Sequence, residues 1–232
     1  TLLYTILSLS LLGGLLAVVL YLIAQKFKVQ EDPRIDQVLE ALPGANCGGC
    51  GYAGCRAFAE SYVNNPEMTD FFCPVGGNDV MKNVAMVLGR EVKEQVPRLA
   101  VLRCNGSCDV RPRLNVYDGS MSCAVAADLY GGETGCSYGC LGLGDCVTAC
   151  TFDAIHMNPQ TCLPEISEDT CTSCGACVKA CPRNILELRP KGPKNRRIYI
   201  ACASKDKGAV TRKVCTVGCI GCQKCVKECP FE

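Results

Sequence analysis

Cys171, Cys174, Cys177 and Cys181 stand in the run C-T-S-C-G-A-C-V-K-A-C-P. Three thiolates spaced three residues apart can wrap the corners of one cubane iron–sulfur cluster. A further cysteine just before a proline then serves a second cluster in the same unit. A related run holds Cys219, Cys222, Cys225 and Cys229, followed by Pro230. Another, C-S-Y-G-C-L-G-L-G-D-C-V-T-A-C, holds Cys136, Cys140, Cys146 and Cys150. The segment N-C-G-G-C-G-Y-A-G-C adds Cys47, Cys50 and Cys55, with Cys73 before Pro74 as their fourth member. The chemistry served by these spacings is one-electron transfer through several 4Fe-4S clusters.

The run from Cys136 departs from the standard pattern. Aligned on the last run, Cys136 matches Cys215, Cys140 matches Cys219 and Cys146 matches Cys225, while Leu143 falls where Cys222 stands. Leucine cannot ligate iron. The sequence therefore assigns Cys136, Cys140, Cys146 and Cys181 to one cluster, with Cys136 filling the vacant corner. Cys150, Cys171, Cys174 and Cys177 hold the other, by the crossing of the fourth ligand. Cys104, Cys108 and Cys123 follow no compact motif; with Cys136 they could complete a further cluster or a zinc site, but they read as not ligating the main clusters. Cys162 reads as a bystander between the halves. Cys219, Cys222 and Cys225 lack a standard fourth partner. Either the natural chain continues with another such half, or Cys215 fills the gap.

Composition narrows the class. With 22 cysteines in 232 residues, the chain is a disulfide scaffold or a metal scaffold. C-x-x-C pairs in series make poor long-loop staples and good metal cradles. The formal charge of +1 gives no bulk polarity for nucleic acid. Tryptophan is absent and aromatics are few, so metal binding must contribute to folding. His156 is the only histidine, which excludes a Rieske-type site needing two. No nucleophile–base pair, phosphate loop or dinucleotide fingerprint is present, so the chain has no substrate-converting site of its own.

The elements that position these cysteines follow from patterning. Residues 2–24 carry no charge and are long enough to cross a bilayer as a helix. Lys26 and Lys28 follow, which puts the remainder in the cytoplasm by the positive-inside rule. A cleaved signal peptide is the competing reading, but the basic start and small-residue cleavage site it needs are missing. The chain divides into a transmembrane helix (1–25), a four-iron cluster domain (30–97), an irregular Cys-containing connector (98–135), a two-cluster ferredoxin-like unit (136–190) and an incomplete second unit (195–232). Helical spacing marks residues 35–42, 56–63 and 79–91. Leu99 to Leu102 reads as a strand, as do Ala154-Ile155 and residues 185–188, with short helices starting near Val147 and Val178. V-L-R-C104-N-G and Y-I-A-C202-A-S are similar lead-ins to a G-C-[LI]-G motif. The basic loop 189–197 could attract an acidic redox partner or anionic lipid, but reads as a solvated turn. The fold class is α+β: one transmembrane helix, a small helical cluster domain, then serial ferredoxin-like two-cluster modules.

An apolar anchor, the segment P-G-A-N-C-G-G-C-G-Y-A-G-C with Cys73, and the motifs G-C-S-Y-G-C-L-G-L-G-D-C and V-G-C-I-G-C together resemble the B subunits of Rnf complexes in their long, cluster-rich form. The resemblance implies an iron–sulfur subunit of a membrane-bound, ion-translocating ferredoxin:NAD oxidoreductase at the cytoplasmic membrane. It implies soluble reduced ferredoxin as electron donor. It implies flavin- and NAD-binding and membrane subunits as partners. Two other classes remain: the electron-input subunit of another membrane-bound dehydrogenase or hydrogenase, and a zinc-scaffolded interaction protein. Zinc favours isolated Cys-pair sets, not three cysteines at three-residue spacing with a remote fourth.

Overall fold

The computed structural model describes residues 2–26, 32–67, 70–129, 131–193 and 196–230. Lys28, and part of the basic loop, lie outside them. The first element, α1 (Leu2–Lys26), leaves its large apolar side chains exposed from Leu3 to Ile23. Residues Leu3–Lys26 are long and apolar enough to cross a membrane, with a mean hydropathy of 2.5. The Ser8 and Ser10 hydroxyls donate to the Thr5 and Leu7 carbonyls at 3.0 Å, so neither would be left unpaired in an apolar surrounding.

Three helices follow: α2 (Pro33–Ala41), α3 (Cys55–Asn64) and α4 (Gly77–Leu88). The Asp32 carboxylate caps α2 by accepting the Arg34 N–H at 2.9 Å. Pro33 occupies the first turn, where its missing N–H costs nothing. Gly89 ends α4 at φ +61°, a left-handed stop that glycine adopts freely. The helices bury Val38, Phe58, Met81 and Val84 completely or nearly so. Phe58, Tyr62 and Phe71 pack with ring centroids 5.1–5.9 Å apart, and Tyr52 joins Phe58 and Phe71. Each buried side chain of this size stabilises by about 1.5–3 kcal/mol. This core gives the unit a framework that its cysteine loops, which contribute no regular structure, do not supply.

The next unit contains β1 (Arg98–Leu102), α5 (Cys123–Leu129), α6 (Asp145–Thr148), β2 (Ile155–Asn158), β3 (Leu163–Ile166), α7 (Ala176–Ala180) and β4 (Leu186–Pro190). Strands β2 and β3 form a hairpin, with Ile155 opposite Ile166. Strand β1 pairs antiparallel with β4, from Arg98 opposite Pro190 to Leu102 opposite Leu186. The segment expected as an irregular connector thus supplies a strand and a helix to the unit expected to begin at 136. Local periodicity marks a strand but not its distant partner. Ala100, Ile155 and Leu186 form the core together with Cys146 and Cys177.

Beyond β4 come α8 (Gly208–Val214) and α9 (Lys224–Glu228). An isolated antiparallel bridge joins Cys104 to Cys202. No residue of α9 is buried. His156 is exposed on β2, 3.4 Å from the Glu165 carboxylate.

Candidate cluster sites

In the helical domain, Cys55 opens α3 and Cys73 ends the loop that precedes α4. The Asn46 side-chain oxygen accepts the Cys55 N–H at 2.8 Å, tying the start of the loop to the start of the helix. A Cβ on Gly54 would sit 2.9 Å from that oxygen, so a side chain there would break the tie. Burial pushes the Cys73 thiol up, and the nearby Cys50 and Cys55 thiols add to the shift. The Gly76 N–H points at Cys73 Sγ from 3.4 Å. Cys47 is half-buried on the same loop.

The 98–190 unit contains two hollows. One encloses about 310 Å³ of empty space, its mouth included, and is lined by Cys150, Cys171, Cys174 and Cys177. The other encloses about 380 Å³ and is lined by Cys123, Cys140, Cys146 and Cys181. The two short helices explain this exchange. Cys146 in α6 is followed four residues later by Cys150, and Cys177 in α7 by Cys181. Each helix therefore gives one thiol to one hollow and its next thiol to the other.

Cys136 does not line the hollow to which the sequence assigned it. Cys123 stands there instead, at the start of α5. The Asp145 carboxylate holds it in place. It accepts the Cys123 N–H at 2.8 Å, the Ala124 N–H at 3.0 Å and the Ser122 hydroxyl at 3.0 Å. Burial works against the charge on Asp145, yet those donors keep its carboxyl below the usual range. Asp145 precedes Cys146, so one residue fixes two walls of the hollow. Only Ser122-Cys123 beside a distant Asp hints at this in the sequence.

Burial pushes the Cys140 and Cys177 thiols up to about 12 and Cys146 to about 11. Without metal these thiols hold their protons at neutral pH, and iron must displace them. Among the described residues, no three His, Cys, Asp or Glu side chains converge as one ion would require. Zinc bonded at about 2.3 Å draws its thiolates nearly into contact. Here they stand around a hollow, as a multi-atom cluster needs. Residues lining these spaces also carry buried polar atoms without partners. Arg183 Nε lies at the larger hollow and Thr172 Oγ1 at the smaller, each free to donate to a cluster sulfur. The residues present fit 4Fe-4S clusters.

The N-terminal set adjoins this unit. A Cβ on Gly49, between Cys47 and Cys50, would lie 2.7 Å from the backbone oxygen of Cys174. The two cysteine loops are thus in backbone contact. The terminal run differs: Cys222, Cys225 and Cys229 are exposed and Cys219 is half-buried.

Comparison with known proteins places this arrangement. Residues 42–70 match a family model described as "Putative Fe-S cluster", and residues 170–232 match the 4Fe-4S dicluster domain. The chain is 43% identical over 226 residues to the B subunit of the ion-translocating oxidoreductase complex of Methanosarcina acetivorans, covering 96% of this chain and 84% of that protein. It is 39% identical to the B subunit of the proton-translocating ferredoxin:NAD(+) oxidoreductase complex of Clostridium ljungdahlii, covering 94% and 76%. It is 41% identical to the B subunit of the Na(+)-translocating ferredoxin:NAD(+) oxidoreductase complex of Acetobacterium woodii, covering 91% of this chain but only 62% of that protein's length. The chain belongs to the family of B subunits of ion-translocating oxidoreductase complexes.

Proposed function

We propose that the chain is the iron–sulfur electron-transfer subunit of a membrane-bound ferredoxin:NAD oxidoreductase, accepting electrons from soluble reduced ferredoxin. The observation that carries this reading is the back-to-back pair of four-cysteine hollows. They share helices α6 and α7, and one adjoins the N-terminal cysteine loop. Cys47, Cys50, Cys55 and Cys73 would hold one cluster. Cys150, Cys171, Cys174 and Cys177 would hold a second, and Cys123, Cys140, Cys146 and Cys181 a third. Cys219, Cys222, Cys225 and Cys229 belong to a further ferredoxin-like module, and that series of modules is part of the proposal. A bound 4Fe-4S cluster supplies one-electron oxidation and reduction at low potential.

The protein's own contribution is placement. Glycine at position 49 lets two cysteine loops approach to backbone contact. Burial of Cys146 and Cys177 in the apolar core keeps water from the facing thiols. Helix α1 would anchor the chain in the cytoplasmic membrane, with Lys26 and Lys28 holding the cysteine-rich portion on the cytoplasmic side. The partners are the other Rnf-type subunits, including a membrane part and a flavin- and NAD-binding subunit.

Anaerobically purified protein should contain iron and acid-labile sulfide in near-equal amounts. It should accept electrons from reduced ferredoxin, yet not reduce NAD until the flavin-bearing subunit is added. Stoichiometric zinc with little iron would overturn the reading. A reporter fused after residue 97 should report the cytoplasm, and a periplasmic signal would reverse the orientation.

A further inference from the structure

A third hollow lies beyond the two already described. It encloses about 340 Å³ of empty space, its mouth included, between those of the other two. It too is lined by four cysteines: Cys104, Cys136, Cys202 and Cys215. We infer that these four thiolates hold an additional 4Fe-4S cluster, outside the ferredoxin-type runs and between them and the terminal run. The inference rests on the reading that the other hollows bind such clusters.

The site is built from two like halves. Cys104 and Cys202 occupy similar lead-in segments, and the chain pairs them directly in an antiparallel bridge. Cys136 and Cys215 both open a C-x-x-G-C turn, C-S-Y-G-C and C-T-V-G-C. In both turns the glycine N–H reaches back to the first cysteine's carbonyl, at 3.4 Å for Gly139 and 3.3 Å for Gly218. Each half thus gives one lead-in thiol and one turn thiol. The second cysteine of the first turn, Cys140, lines the neighbouring hollow. By the same pattern Cys219 remains with the terminal run, so Cys215 is not its missing fourth partner.

The walls fit an anionic cofactor. Arg111 is only 5% exposed, and among the described residues no carboxylate pairs with it. Its Nη1 donates to the Cys140 carbonyl at 2.5 Å, while its Nε has no partner. Arg103 also lines the hollow. It reaches the Cys202 carbonyl at 3.4 Å and its Nε is unpartnered, but its Nη1 already pairs with the Glu187 carboxylate at 3.5 Å, so the uncompensated charge is that of Arg111. A buried guanidinium needs a counter-charge. Four thiolates outweigh the positive charge of the iron–sulfide core they bind, so the filled site supplies one, and its sulfurs accept N–H donors. A Cβ on Gly139 would lie 3.0 Å from Arg111 Nη1, so glycine leaves room for that guanidinium at the wall of the hollow.

Position gives the site a role. Leu102 lines the larger dicluster hollow and Arg103-Cys104 line this one; Cys140 lines the former and Gly139 the latter. The two spaces share a wall of consecutive residues. On the far side Cys215 leads through its turn to Cys219. The site therefore bridges the dicluster unit and the terminal run.

Reconstituted full-length protein and its Cys202→Ser and Cys136→Ser variants should be compared for iron, sulfide and zinc. Each variant should lose about four iron and four sulfide per chain, while Cys162→Ser loses none. Unchanged iron in both variants, or loss of zinc instead, overturns the inference. A parent without iron overturns the broader cluster reading, a separate outcome. A second measurement needs no variant. In the parent, Cys104, Cys136, Cys202 and Cys215 should resist alkylation until an iron chelator is added, then label together. Labelling that is the same before and after chelation refutes the site.

Discussion

Two runs in this chain have almost the same cysteine spelling and opposite surroundings. Cys171, Cys174, Cys177 and Cys181 sit in a packed unit, with Cys177 buried beside Ala100, Ile155 and Leu186. Cys219, Cys222, Cys225 and Cys229 repeat the spacing, yet three of the four are exposed and α9 buries nothing. The difference is the cover. The first run is closed by β1, β4 and the partner helix α6. The spacing specifies which atoms can ligate a cluster; distant segments decide how dry and how rigid that cluster will be. Solvent access is also a principal control of cluster potential.

The largest contrast should come from cutting one inner thiol in each run. Cys177→Ser removes a ligand and places a hydroxyl in an apolar core. An unpaired buried polar group costs about 1–3 kcal/mol. Each kcal/mol lowers the unfolding temperature of a unit this size by about 4–8 °C. Loss of metal-linked folding energy adds to that. Cys225→Ser should lose only iron belonging to the terminal run and leave the unfolding temperature of the 98–190 unit unchanged. Calorimetry and iron analysis on both variants check this. Equal destabilisation would show that the terminal run is covered as well as the first.

A middle-sized effect concerns the irregular half. Cys123→Ala should empty the hollow it shares with Cys140, Cys146 and Cys181, at a loss of about four iron per chain. Leu143→Cys in that background should restore the iron, because it rebuilds the standard three-cysteine loop. Asp145→Ala should lower occupancy of the same hollow without removing any thiol, since it frees the loop that presents Cys123. Iron content with Cys123→Ala equal to the parent's would show that Cys123 is not the fourth ligand of this hollow.

These cases separate what patterning reveals from what only folding does. Helices α2, α3 and α4 are legible from apolar residues at helical spacing, such as Ile35 and Val38 in α2. In α4 the pattern of Val80, Val84, Val87 and Leu88 marks the helix, but the buried side chains are Met81, Val84 and Ala85, and Val87 is exposed. Strands β1 and β4 are legible as apolar runs, but their pairing is not, since nothing in Leu99 to Leu102 names Leu186 as partner. Leu143 announces a missing ligand, while its replacement depends on a carboxylate that accepts backbone N–H groups from a distant helix. Cys104 and Cys202 are alike in sequence, as are Cys136 and Cys215, but no single run holds all four; the bridge between the lead-ins brings the two halves together. The same limit affects family recognition. The dicluster match over residues 170–232 joins the two standard runs, whereas in the fold Cys181 shares its hollow with Cys140 and Cys146.

The smallest expected effect tests the contact between the helical domain and the packed run. Gly49 lies with its Cα against the Cys174 backbone; an added methyl would meet the carbonyl oxygen at 2.7 Å and the Cα at 2.9 Å. Backbone cannot yield as a flexible side chain can, so Gly49→Ala must push the two loops apart. Neither loop loses a thiol, so iron and sulfide should stay at parental levels. Both cores are held elsewhere, by Phe58 and Met81 on one side and Ile155 and Leu186 on the other, so the unfolding temperature should move by no more than a few degrees. What should change is the magnetic interaction between reduced clusters, because dipolar coupling falls steeply with separation. Electron paramagnetic resonance of the fully reduced variant should show weaker splitting than the parent. Splitting identical to the parent's, with full iron content, would mean that the loops tolerate a methyl group and that their close approach does not set the distance between the two sets.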